Sequence, residues 1–385
     1  MYITILGRQP ALGIAELEQV YGAESVRWFS DSSAIVENDA FDFERVAGSQ
    51  KAGRVVSELR GDWRKVSMKL VNAYAHAWQE HEGKITLGIS AYGFDVSPRD
   101  VQKTGIVLKK KLKEANVSLR LIPNVDASLS TATSHHNKLG LSANHVELLV
   151  VKAGNGNVII AESVGSQNIT ALAARDQGRP KRDAFVGMLP PKLAKMMVNL
   201  TGISSGRVLD PFCGTGVLLQ EAMLLNIDAY GSDLSEKMVD FSTQNLEWLA
   251  ATHKTSASYL VEHGDAMTTT WKPPITAIAC ETYLGQPFSA PPSSSKLEEV
   301  RGNCNHIIST FLKNIAPQLE TGTPLCVAVP AWRAADGYTT HLPLVNQVES
   351  LGYQQVELKN VNKSQLLYYR EDQIVARELL LLVRK

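Results

Sequence analysis

Apolar and polar positions change rhythm near residue 165 of this 385-residue chain. Before that point, short β-rich runs alternate with a few helical stretches. "YITIL", "SVRWF", "RVVSEL", "KITLGISAYG", "SLRLI", "HVELLVVKA" and "NVIIAESV" predict strands. "ALGIAELEQVYG", "WRKVSMKLVNAYAHAWQE" and "SPRDVQKTGIVLKKKLKEANV" predict helices. In the last of these, Val101, Gly105, Leu108 and Leu112 recur at helical spacing with lysines on the other side. The mixture predicts an α+β region.

Residues 166–187, "SQNITALAARDQGRPKRDAFVG", carry much charge and little periodicity, and predict a linker. Beyond them strand follows helix in strict alternation. "SGRVLD", "DAYGSD", "SASYLVEHGD", "PITAIACE" and "PLCVAVPAW" predict strands of right-handed βαβ units in a parallel sheet. "YQQVELKNV" and "QIVARELLLLV" predict two antiparallel strands that close one edge. The fold class expected is therefore α/β, with a Rossmann-like domain preceded by the α+β region.

Composition narrows the function only a little. The length exceeds what one hydrophobic core usually spans, and 44% apolar against 20% charged residues is an ordinary globular balance. No window approaches the roughly 20 apolar residues that span a bilayer, so no membrane role is expected. The N-terminus reads as a strand, not a signal peptide. Cys213, Cys280, Cys304 and Cys326 form no CxxC pair, so no metal is expected and a reducing cytoplasm is the default. The 39 basic and 39 acidic residues cancel, so any contact with nucleic acid must come from local patches.

Candidate chemistry lies in a row of acids. Asp210, Asp233, Asp265 and Glu281 each close a predicted strand, and ligands of open α/β sheets bind beyond the carboxyl ends of strands. "VLDPFCGTGVLLQEA" turns tightly on Gly214 and Gly216, where backbone can approach a ligand. It is not a dinucleotide fingerprint, since Leu219 holds the third glycine position, and no Gly-Lys-Ser/Thr follows to make a P-loop. An aspartate that opens such a loop repels a pyrophosphate and attracts an ammonium or sulfonium. S-adenosylmethionine has that charge at one end and an adenosine at the other. Asp233, 23 residues beyond Asp210, matches the spacing of a ribose-binding acid. Asp265 is placed to accept from an adenine amine.

"VLDPFCGTG" resembles the first motif of class I methyltransferases. "RDQGRPKRDAFVGMLPPKLAKMMVNL" resembles the entry to the catalytic domain of THUMP-domain tRNA guanine-N2 methyltransferases of the guanosine-10 type. "LSTATSHHNKLG" with "HVELLVV" is similar to the end of a THUMP domain, and "LLYYREDQIVARELLLLVRK" to the family's closing hairpin. The resemblance implies a ferredoxin-like region at 1–50, a THUMP-like RNA-binding domain at 51–165, a linker at 166–187 and a class I methyltransferase domain at 188–385. It assigns Asp210, Gly214 and Gly216 to the methionine moiety, Asp233 to the ribose and Asp265 to the adenine. Cys213, Thr215, Leu234 and Ala266 complete the cofactor set, and Met188 to Lys192 pack beside the methionyl end.

Where the family carries an Asp-Pro-Pro-Tyr box, this chain reads Glu281, Thr282, Tyr283, Leu284 and then Gly285. The resemblance makes Glu281 the acceptor for a target amine and Tyr283 the stacking plate. Both prolines are absent, which predicts a less stiff backbone. Cys280 is expected to be a buried thiol rather than a nucleophile, and Cys213 a loop filler. Seven basic residues between Arg99 and Arg120, including Lys109, Lys110 and Lys111, face only Asp100 and Glu114. With Lys138 and a second basic run holding Arg175, Arg179 and Arg182, they are the candidate RNA contacts. The expected function is N2-methylation of guanosine in tRNA in the cytoplasm. The alternatives are an RNA-binding protein on an inactive methyltransferase fold, or an amino-methyltransferase for another RNA or DNA. A homodimer or accessory subunit is left open.

Overall fold

A computed structural model of the chain describes residues 1–183, 189–288, 290–334 and 337–385. It divides into two units, Met1–Leu17 with Tyr21–Ala171, and Glu18–Val20 with Leu172–Lys385.

In unit 1 the alternating runs pair into one eight-stranded sheet. Its strands are β1 (Tyr2–Leu6), β2 (Val26–Ser30), β3 (Ser33–Val36), β4 (Ser49–Arg60), β5 (Ile85–Tyr92), β6 (Leu119–Leu121), β7 (His145–Lys152) and β8 (Asn157–Ser166). They run in the order β2-β3-β1-β4-β8-β7-β5-β6. Only the β5–β6 and β5–β7 pairs are parallel. The accompanying helices are α1 (Pro10–Tyr21), α2 (Trp63–Ala77), α3 (Pro98–Glu114) and the short α4 (Thr131–His136). The expected boundary at residue 50 falls inside β4, which pairs with β1 and with β8.

Helix α3 shows how the local pattern builds the layer. Ser97 caps it by accepting from the Asp100 amide, and Pro98 sits in the first turn, where a missing N–H costs nothing. Val101, Thr104, Gly105, Leu108 and Leu112 are its buried stripe. A Cβ on Gly105 would stand 2.5 Å from a methyl of Leu121, so a larger residue would have to push that side chain aside. Leu70, Val71 and Tyr74 of α2 join Leu108 and Leu112 over Leu87, Ile89, Leu148 and Val150 of the sheet.

Within the stretch predicted as a linker, Ile169–Gln177 forms helix α5, and residues 184–187 lie outside those described. The one residue α5 buries is Arg175, so an apolar period could not register it. Unit 2 continues with α6 (Pro191–Leu200), β9 (Arg207–Asp210), α7 (Val217–Leu224), β10 (Asp228–Asp233), α8 (Glu236–Thr252) and β11 (Tyr259–His263). After these come β12 (Ala277–Glu281), α9 (Ser294–Ile315), β13 (Pro324–Arg333), β14 (Thr339–Thr340), β15 (Tyr353–Gln355), β16 (Leu367–Tyr368) and β17 (Val375–Arg384).

The main path of this sheet is β11-β10-β9-β12-β13-β17-β15, parallel through β13 and antiparallel at β17. Ile308, Phe311 and Leu312 of α9 cover one face over Val327, Val329 and Leu380. Leu219 and Met223 of α7 pack with Leu246 and Leu249 of α8 on Ala229 in a second cluster. Burial by helices on both faces explains why β13 and β17 read as continuous apolar runs rather than alternating ones. The chain builds outward from β9 to β11, then returns to place β12 on the other side of β9. That reversal leaves a crevice beyond the carboxyl ends of β9 and β12.

Candidate functional site

The crevice is a cavity of about 630 Å³, and it gathers the acids from separate strands. Asp210, Asp233, Asp265 and Glu281 all line it. Asp265 differs from expectation in one respect. Strand β11 stops at His263, and Asp265 sits in the turn that follows, where its Oδ1 accepts from the Met267 amide at 2.9 Å.

The loop after β9 is held by its own backbone and by Asp233. Gly216 adopts a left-handed φ of 77° at the cap of α7, and a Cβ there would stand 2.4 Å from Ser242 Oγ. The Cys213 amide donates to the Ser232 carbonyl at 3.0 Å, and the Gly214 amide to Asp233 Oδ2 at 2.9 Å. Asp233 Oδ1 accepts from the Ser235 amide. The expected ribose ligand thus also ties the β9 loop to the end of β10. Cys213, Gly214, Thr215, Leu234 and Ala266 line the cavity, whereas Gly216 shapes the loop from behind. Leu189 lines it too, while Met188 lies outside the described residues.

Asp210 is 3% exposed and accepts from the Phe212 amide at 3.1 Å. Burial pushes its carboxyl well above the usual range; the Phe212 hydrogen bond opposes this, and the charges of Asp233 and Glu281 add to it. A cation at this point would reverse that penalty. Burial also pushes the Cys213 and Cys280 thiols well up, in keeping with buried structural sulfurs.

Beyond β12 the divergent box is tied to its neighbours without the two prolines. Thr282 donates to the Ala328 carbonyl of β13 twice, from its amide at 3.0 Å and from Oγ1 at 2.9 Å. Gly285 follows with φ of 82°, packed so that a Cβ would meet Val300 at 2.7 Å. Tyr283, 43% exposed, lines the cavity. Glu281 makes an ion pair with Arg377 of β17 through Oε1 and Nε. Arg377 was not among the expected site residues. The signal for it was a charge inside the apolar run "QIVARELLLLV".

Two of the expected RNA contacts are corrected. Arg175 is buried and grips the buried Glu221, Nε to Oε1 at 2.6 Å and Nη2 to Oε2 at 3.2 Å. Arg179 is 3% exposed, beside Asp176. Both guanidinium groups are buried in unit 2, out of reach of a phosphate. Lys109, Lys110, Lys111, Lys138 and Arg182 are exposed. Among the described residues no group of three or more His, Cys, Asp or Glu is placed to hold a metal, and no helix is long and apolar enough to cross a membrane.

Residues 179–262 match the family described as RMKL-like, methyltransferase domain. That stretch lies within unit 2. Its α/β sheet is the Rossmann-like class expected. The chain is 33% identical over 158 residues to a tRNA (guanine(10)-N2)-dimethyltransferase of Methanothermobacter thermautotrophicus, covering 40% of this chain and 43% of that protein. It is 44% identical over 78 residues to the Pyrococcus abyssi enzyme of the same name, 20% of this chain and 22% of that one. The matched stretches therefore span less than half the length of these curated relatives. Among solved structures, a possible methylase from Clostridium difficile 630 aligns at a TM-score of 0.47 and 12% identity, over 98% of this chain and 97% of that one. SMU.472 complexed with SAH aligns at 0.47 and 10% identity, with the same coverage.

Proposed function

We propose that this chain is an S-adenosylmethionine-dependent methyltransferase that acts on the exocyclic N2 of guanosine in tRNA. One observation carries the reading. The acids suited to a cationic nucleoside and the proposed acceptor-and-plate pair, Glu281 with Tyr283, line the same cavity of unit 2. The names of the curated relatives supply the substrate class.

The residues present fit the cofactor. The left-handed turn at Gly216 holds the loop where a side chain would collide, and buried Asp210 offers a carboxyl that a positive group would stabilise in its ionised form. Asp210 and the loop Cys213–Gly216 would hold the methionyl end, Asp233 and Leu234 the ribose side, and Asp265 with Ala266 the adenine. Bound there, S-adenosylmethionine supplies an electrophilic methyl group. Glu281 accepts from the target amine, which orients its lone pair, and Tyr283 stacks on the base. Positioning of this kind is enough for methyl transfer to an aromatic amine.

Unit 1 is the RNA-binding part in this reading, with a ferredoxin-like part and a THUMP-like part that meet at β4. Lys109, Lys110, Lys111, Lys138 and Arg182 would set register on phosphates without reading sequence. Such an enzyme works in the cytoplasm. The test is transfer from labelled cofactor to a tRNA pool, followed by mass spectrometry of nucleosides. N2-methylguanosine is the expected product. Binding of cofactor and tRNA with no nucleoside gaining a methyl group would establish instead an RNA-binding protein on an inactive fold.

A further inference from the structure

Arg377 is the single basic side chain among the described residues that line the cavity, opposite four carboxylates. Its Nε is spent on Glu281 Oε1, and that is the one hydrogen bond the described structure gives its guanidinium. The Nη amino groups are left over. Glu281 likewise keeps Oε2. The side chains are 11% and 16% exposed, and both line the cavity. The wall beside Tyr283 therefore carries an acceptor and a planar fork of donors side by side, each holding the other in place.

Guanine has the complementary edge. Its N2 amine and ring N1 both donate, and O6 accepts. Adenine and cytosine place a bare ring nitrogen next to the amine, so a carboxylate that accepts from the amine meets a lone pair there instead of an N–H. We propose that Arg377 is a specificity-determining residue, which donates to O6 of the target guanine while its partner Glu281 accepts from the N1 and N2 hydrogens. This rests on the guanine-N2 reading above and adds the side chain that tells guanine from other amino-bearing bases.

The test compares wild type, Arg377→Met and Arg377→Lys on one RNA that carries either guanosine or 6-thioguanosine at the methylated position. Sulfur keeps the N1 hydrogen and the N2 amine but is a weak acceptor in place of O6. Wild type is expected to lose about tenfold to a hundredfold in kcat/KM on the thio-substrate, the range of a base-specific contact. Arg377→Met is expected to be slow on both RNAs and indifferent to the sulfur. Arg377→Lys keeps a cation beside Glu281 and is expected to fall between them. It reads the same ratio should Arg377→Met fail to fold, as judged by affinity for S-adenosylhomocysteine.

An equal sulfur penalty in all three proteins, or none in wild type, would overturn the proposal and leave Arg377 as a residue that only orients Glu281. Transfer by wild type to another base overturns the guanine reading and this inference together. Absence of any turnover overturns the enzymatic reading alone, and the ratio is then taken from RNA affinity in the presence of S-adenosylhomocysteine.

Discussion

Each unit holds a carboxylate paired with a cation across one intervening strand, and the two pairs are built for opposite ends. In unit 1, Lys51 of β4 and Glu147 of β7 are 2% and 1% exposed. Lys51 Nζ donates to Glu147 Oε1 at 2.5 Å and to the Leu129 carbonyl at 2.7 Å, while Ser90 Oγ donates to the same carboxylate at 2.6 Å. Burial lowers the Lys51 ammonium from its usual range, with Glu147 working against the shift. In unit 2, Glu281 and Arg377 share one hydrogen bond and open onto a cavity. A sealed pair acts only on stability, because no ligand can reach it. A pair at a cavity wall keeps hydrogen-bonding capacity that a ligand can use.

The largest expected effect tests the sealed pair. Glu147→Ala leaves an uncompensated ammonium inside unit 1 and should cost about 3–5 kcal/mol. Loss of hydrogen-exchange protection along β4 and β7 checks it, with cofactor affinity unchanged. The double replacement Lys51→Met with Glu147→Leu should recover most of that loss, since an apolar pair of similar volume needs no partner. A double variant as unstable as Glu147→Ala would show that the pair does more than satisfy itself.

Glu281→Ala should give the reverse pattern. Methyl transfer to tRNA is expected to fall by about a hundredfold or more. Cofactor affinity should hold, and unit 2 should lose less stability than unit 1 does in Glu147→Ala, because water in the cavity can hydrate the guanidinium left behind. Equal activity in Glu281→Ala would remove Glu281 from the acceptor role.

The smallest effect is a matter of pH. Asp210 has its carboxyl raised in the folded chain by burial, with Asp233 and Glu281 adding to it. The unfolded chain releases that proton first as pH rises. Ligand-free protein should therefore lose stability from the ordinary carboxylate range upward, until the folded group also ionises. A bound cation favours the ionised form, so cofactor binding should release up to one proton and tighten as pH rises through the same window. Calorimetry in buffers of different ionisation heat measures the proton. Asp210→Asn should show none.

Much of this molecule was legible in the chain because it depends on local chemistry. The alternation of "VLD", "GSD" and "IACE" with helical stretches predicted parallel βαβ units, and those strands neighbour one another as expected. The acids at their carboxyl ends were readable for the same reason, since strand polarity alone sends each to the same edge. Strand β3 was not readable, because four residues do not establish a period. Helix α5 was missed because the residue it buries is an arginine. The basic run around it read as a surface patch, and two of its cations turned out to be buried, Arg175 against Glu221.

The sequence by itself determined which segments become strands and helices, where the glycine turn falls, and that four acids meet at one rim. Periodicity and turn chemistry act over a few residues, so they can be read without knowing what packs against them. Only the tertiary structure decided that Thr282 anchors to β13 in place of two prolines. It alone brought Arg377 to Glu281 from 96 residues away, because β17 inserts antiparallel beside β13. Strand order sets such meetings, and a pairing between distant strands leaves no local trace in either one.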